Sequence, residues 1–126
     1  MDLFDQFTPP ENLLPYDGDV RYHGVVMGQG QADDFFRRLL EEIPWAHDEL
    51  VMFGRPVVTR RKVAWYGDQP FAYTYSRATK QALPWVPVLA ELKALVEQHS
   101  GERYNSCLLN LYHNGEETMG WHSDDE

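Results

Sequence analysis

The residues best suited to chemistry lie near the end of the chain, in His122-Ser123-Asp124. On an extended strand, side chains two positions apart point to the same face, so an imidazole nitrogen and a carboxylate oxygen would converge on one point. That pair supplies two of the three protein ligands of a facial iron(II) site, which leaves open coordination positions for substrate and oxygen. The preceding strand offers a second set. In Asn105 to His113, Leu108, Asn110 and Tyr112 share one face, and Cys107, Leu109, Leu111 and His113 share the other. Asn110 and Tyr112 thus present an amide and a phenol from one surface, and both can hydrogen-bond the carboxylate of an organic acid. The competing reading makes Tyr112 a core aromatic and gives Asn110 a local backbone bond. A rival metal triad of His113, His122 and Asp124 is opposed by the strand alternation, which turns His113 away from Asn110 and Tyr112.

A third set lies upstream. Phe71, Tyr73 and Tyr75 alternate, so they line one strand face, and Arg60, Arg61, Lys62, Arg77 and Lys80 flank them. Aromatic rings stack on exposed bases, worth about 1–3 kcal/mol each, while Arg and Lys hold phosphates. The competing reading is a buried strand face edged by solvated charge. Residues 55–80 hold six basic side chains against Asp68 alone, whereas the whole chain carries a net charge of −9. An acidic total argues against nucleic acid as a partner, but screening limits distant charges to about 8 Å at physiological salt, so a local basic patch can still bind phosphate.

These sets need elements to hold them. Residues 1–19, with Pro9, Pro10, Pro15 and Gly18, read as an irregular N-terminal arm. Val20 to Met27 is predicted as a short strand. Gln31 to Ile43 is predicted as a helix: Phe35, Phe36, Leu39, Leu40 and Ile43 recur at helical spacing, Asp33 and Asp34 suit its positive end, and Pro44 stops it. Val57 to Tyr66 and Phe71 to Ser76 are predicted as two strands joined by a hairpin-type loop at Gly67-Asp68-Gln69-Pro70. Pro87 to His99 is predicted as a second helix, with Leu92, Leu95, Val96 and His99 on one face and Gly101 as its cap. Tyr104 to Tyr112 is predicted as a strand, Asn114-Gly115 as a tight turn, and Glu117 to Asp124 as the returning strand. The class is α+β, with helices covering one side of a sheet.

Length sets a further bound. The chain has 126 residues, about one domain. It is 43% apolar and 25% charged, which excludes disorder as the main reading. No apolar run exceeds four residues, so no membrane-spanning helix and no membrane partner are expected. The start, Met1-Asp2-Leu3-Phe4-Asp5, is acidic and lacks a basic-then-apolar leader. The single Cys107 cannot form an internal disulfide, which fits a reducing cytoplasm.

Taken together, Asn110-Leu111-Tyr112-His113-Asn114-Gly115 and Met119-Gly120-Trp121-His122-Ser123-Asp124-Asp125-Glu126 resemble the core of the AlkB family of iron(II)- and 2-oxoglutarate-dependent repair dioxygenases. Arg61-Lys62-Val63-Ala64-Trp65-Tyr66-Gly67-Asp68, Tyr73-Thr74-Tyr75-Ser76 and Pro84-Trp85-Val86-Pro87-Val88-Leu89 are similar to that family's substrate-lid segment. The resemblance covers most of residues 20–126, which would form part of one dioxygenase domain built on a double-stranded β-helix, or jelly roll. The roll would be incomplete here, because a jelly roll needs about eight strands and four or five are recognisable. The resemblance implies that His122 and Asp124 bind Fe(II) and that Asn110 and Tyr112 contact 2-oxoglutarate. It implies that Tyr73 and Tyr75 line the nucleotide pocket, that Glu126 contacts the exocyclic amine of the damaged base, and that Arg61 and Lys62 touch the nucleic-acid backbone or lid. The reaction implied uses dioxygen to hydroxylate an N-methyl carbon of a flipped base in DNA or RNA. Formaldehyde is lost, and the co-substrate becomes succinate and carbon dioxide.

The family also uses a second, distal His and an Arg beyond the His-x-Asp segment. The expectation is therefore that these 126 residues alone are inactive until a C-terminal segment or another chain completes the site. Three alternatives compete with this reading: a non-catalytic nucleic-acid-binding fragment using the basic aromatic hairpin, an inert fragment that self-associates through a strand edge, and, more weakly, demethylation of protein lysine.

Overall fold

A computed structural model describes residues 10–75 and 78–120 of the chain. The architecture is α+β, as expected. Helix α1 spans Gln29–Glu42 and α2 spans Pro87–Ser100. The strands are β1 (Ala46–Met52), β2 (Arg55–Gly67), β3 (Ala72–Tyr75), β4 (Ala78–Gln81), β5 (Leu83–Pro84) and β6 (Ser106–Leu111). Four of them form one sheet with the long β2 as its spine: β1 and β6 pair with it antiparallel, and β5 joins it in parallel at Tyr66 and Gly67. Strands β3 and β4 form a separate two-stranded sheet.

Both helices pack on one face of the larger sheet. Phe35 and Ile43 at α1 meet Val88 and Leu89 of α2 over Tyr66 of β2, and all five are buried. Ala64, Leu109, Leu92, Leu95 and Trp85 pack around them. Each end of α2 has a visible cause. Pro87 opens it where no intrahelical N–H partner exists, and Gly101 closes it in the left-handed region at φ 74°, its N–H donating to the Glu97 carbonyl at 2.9 Å. The C-terminal end of α1 is tied by Trp45, whose indole N–H donates to the Leu39 carbonyl at 3.0 Å. Arg38 and Glu91 form an ion pair between the two helices.

Several expectations are corrected. Val20 to Met27 forms no strand; Val20, Tyr22 and Val25 are exposed, and the Asn12 side chain instead folds residues 12–20 into a local loop. Helix α1 begins two residues early, so Asp33 and Asp34 fall beyond its first turn; Asp33 accepts from the Gln29 amide at 2.8 Å. Within α1, Phe36 and Leu40 are exposed, and only Phe35, Leu39 and Ile43 face the core. On α2 the buried face runs through Val88 and Leu89, with Val96 and His99 turned outward. The largest correction is in the pairing. β2 does not form a hairpin with the strand after it. It pairs with β1 through a tight turn at Phe53 and Gly54, both with positive φ, and β3 pairs with β4 instead. Asn114 does start a turn, with its side chain accepting from the Glu116 N–H at 2.8 Å. Residues 117–120 form no strand, and the remainder of the expected returning strand lies outside the described residues. Among the described residues no helix is long and apolar enough to cross a membrane.

Candidate active site

The two faces of the sheet differ because strand side chains alternate. On β6, Cys107, Leu109 and Leu111 turn toward the helices, while Leu108 and Asn110 turn outward. Leu108 is 65% exposed and Tyr112, just past the strand, is 38% exposed. Asn110 pairs in register with Val63 and Leu108 with Trp65, so the outward face continues across β2. Asn110 and Tyr112 therefore lie on the open face.

Arg61 lies on the same face. Its Nε donates to the Asn110 Oδ1 at 3.3 Å, and its guanidinium is 3.6 Å from the Asp48 carboxylate. Asp48 is buried opposite a bulge in β2 and also pairs with Lys80 of β4. The amide of Asn110, the phenol of Tyr112 and the Arg61 cation make a donor set suited to a carboxylate. Lys62 is not brought to this set: it lies opposite Leu111 and His47, on the helix side of the sheet. Tyr73 sits in register with Lys80 on the small sheet, and Tyr75 with Ala78. His122, Asp124 and Glu126 lie outside the described residues. His113 is 2.9 Å from the Glu117 carboxylate through Nδ1. Among the described residues no group of three or more His, Cys, Asp and Glu side chains could hold a metal ion.

Sequence reasoning missed Asp48. Nothing in its neighbours marks it, because its partners Arg61 and Lys80 are distant in the chain. A cleft of about 500 Å³ lies elsewhere, between α2 and the start of β6, and is lined by Asp68, Lys93, Glu97, Arg103, Tyr104, Asn105 and Ser106. It is polar and open, and its cations Lys93 and Arg103 share it with the carboxylates of Asp68 and Glu97.

A profile described as the 2OG-Fe(II) oxygenase superfamily matches residues 18–126. The chain belongs to this superfamily. It is 41% identical over 97 residues to the alpha-ketoglutarate-dependent dioxygenase alkB homolog 3 of Bos taurus, a match covering 76% of this chain and 33% of the relative. It is 37% identical over 125 residues to the DNA oxidative demethylase ALKBH2 of Mus musculus, covering 97% of this chain and 52% of the relative. The human DNA oxidative demethylase ALKBH2 is 35% identical over 105 residues. Within the superfamily the resemblance is thus to its AlkB members, and the chain spans about a third to a half of the length of these curated relatives.

Superfamily members are dioxygenases that use Fe(II), 2-oxoglutarate and dioxygen. The donors on the open face fit the 2-oxoglutarate part of that set: the exposed Asn110 amide contacts the Arg61 guanidinium, and the exposed Tyr112 follows two residues along the chain. The two expected Fe(II) ligands belong to the segment outside the described residues.

Proposed function

We propose that this protein carries out 2-oxoglutarate-dependent oxidative demethylation of N-alkylated bases in DNA or RNA. The supporting observation is the placement of Asn110, Tyr112 and Arg61 on the face of the larger sheet opposite the two helices. Asn110 and Tyr112 donate hydrogen bonds to the co-substrate, and Arg61 adds positive charge beside them. His122 and Asp124 hold Fe(II), with a third ligand from a segment or chain outside these 126 residues. Fe(II), dioxygen and 2-oxoglutarate would supply the oxidising chemistry: one oxygen atom would hydroxylate the N-methyl carbon to a hemiaminal, which releases formaldehyde, and the other would enter succinate as 2-oxoglutarate loses carbon dioxide. Tyr73 and Tyr75 offer stacking surfaces to the base, Glu126 accepts from its exocyclic amine, and Lys62 serves the nucleic-acid backbone. Residues 20–126 act as part of one dioxygenase domain, and the open face is the inner wall of a jelly roll.

The names of the relatives favour this substrate class over protein lysine, since one is called a DNA oxidative demethylase. The test uses protein expressed from its whole reading frame, with Fe(II), 2-oxoglutarate and an N-methylated single-stranded oligonucleotide. Formaldehyde and succinate should appear in equal amounts as the methylated base disappears. Tight, salt-sensitive binding of the oligonucleotide without formaldehyde would overturn this reading in favour of a non-catalytic nucleic-acid-binding module.

A further inference from the structure

Among the described residues the β3–β4 sheet shares no strand pairing with the four-stranded sheet; the main chain ties it there at its ends, through Ala82 to β5 and through residues 68–71 to β2. We infer that Asp48 is a positioning residue that anchors the β3–β4 hairpin beside the Asn110 face, holding Lys80 of that hairpin with one carboxylate oxygen and Arg61 with the other.

The local sequence explains how a carboxylate comes to stand there. The β1–β2 register shifts between His47 and Glu49, where Asp48 alone stands opposite Thr59, Arg60 and Arg61, so the extra residues of this bulge belong to β2. Thr59 of β2 fixes it. The Asp48 N–H donates to the Thr59 hydroxyl at 3.0 Å, that hydroxyl donates to the Arg61 carbonyl at 2.9 Å, and His47 Nδ1 donates to the Thr59 carbonyl at 2.8 Å. Asp48 is only 9% exposed, and a buried carboxylate stays ionised only when cations answer it. Two do, from different elements. Lys80 of β4 contacts Oδ1, and Arg61 of β2 stands 3.6 Å from Oδ2. Arg61 then donates to Asn110, and Lys80 lies in register with Tyr73. One carboxylate thereby joins the strand expected to hold the co-substrate to the hairpin expected to hold the base. What each side binds rests on the reading under Proposed function. The anchoring itself does not.

Amide hydrogen exchange on the 126-residue protein tests the anchor. Asp48→Asn and Lys80→Met should each speed exchange in Ala72–Gln81 about tenfold or more, leaving Pro87–Leu111 unchanged. The double variant should go no further than either single one, because both remove the same link. Unchanged hairpin exchange in Asp48→Asn would overturn the inference, as would an equal rise throughout the larger sheet, which would mark Asp48 as a general stability residue. Fluorescence anisotropy with an N-methylated single-stranded oligonucleotide then compares wild type with Asp48→Asn. The expected result is a loss of affinity of about tenfold, with Asp48→Glu recovering most of it. Equal affinity of Asp48→Asn and wild type, with faster hairpin exchange, would uphold the anchor and overturn its link to nucleic-acid binding. Failure of wild type to bind would count against the nucleic-acid reading, and the exchange result would still decide the anchor.

Discussion

The two faces of the four-stranded sheet are made by the same strands and have opposite characters. Toward the helices, Tyr66, Val88 and Leu89 are nearly inaccessible to water. On the other side Leu108, Asn110 and Tyr112 are open, and the residues there are joined by polar contacts through Arg61 rather than by packing. One face supplies stability. The other leaves Leu108, Asn110 and Tyr112 exposed, and exposed side chains add little to stability. Substitutions should therefore separate cleanly. Leu89→Ala removes a side chain that is 2% exposed and should cost about 2–5 kcal/mol in urea unfolding. Leu108→Ala, on the same sheet's outer face, should stay within about 0.5 kcal/mol. Similar losses in both would erase the distinction.

Next in size is an effect on binding alone. Asn110→Ala should weaken 2-oxoglutarate, read as its KM during turnover, by about 10–100-fold, because a hydrogen bond to a charged group is worth about 1.5–3 kcal/mol. The unfolding midpoint should hardly move, since Asn110 is exposed. A stability loss matching the binding loss would mean that the amide props up the sheet. A smaller effect belongs to the closed face. Gly101 caps α2 at φ 74°, where a side chain is strained, so Gly101→Ala should cost about 1 kcal/mol in the same unfolding measurement and leave co-substrate affinity intact.

The open face was legible in the sequence because strand alternation is a local signal: Ser106 to Leu111 alternates outward and inward residue by residue. The ends of α2 were legible for the same reason, since Pro87 and Gly101 act within one turn. The pairing of β2 was not. His47, Asp48 and Glu49 hide β1 behind three polar residues, and its turn uses Phe53-Gly54 in place of Asn-Gly. The loop from Gly67 to Pro70 looks like a hairpin. Yet Gly67 sits against the Phe71 ring and the Asn105 carbonyl, where a Cβ would come within 2.7 Å of the ring, and the chain leaves the sheet there. The Asp48, Arg61 and Lys80 group was illegible because attraction between charges far apart in sequence exists only once the fold has formed.

The smallest effect concerns how the open face continues past Tyr112. The His113 N–H donates to the Glu117 carboxylate at 3.0 Å, and the His113 ring lies against the same group at 2.9 Å. The Glu117 side chain is only 6% exposed, so this brace fixes the bend that follows the strand carrying Asn110. The hydrogen bond from the His113 ring, reinforced by its backbone N–H, holds the Glu117 carboxyl below the usual carboxylate range against the opposing effect of desolvation. An acid whose pKa is depressed by folding contributes stability at neutral pH and loses it as pH falls through that range. Glu117→Gln lacks the charge at every pH. The variant should therefore be slightly less stable than wild type at neutral pH, and the two urea midpoints should converge on acidification. Parallel midpoint curves down to strongly acid pH would show that the brace does not depend on the charge of Glu117, and the bend would then be held by the Asn114 turn alone.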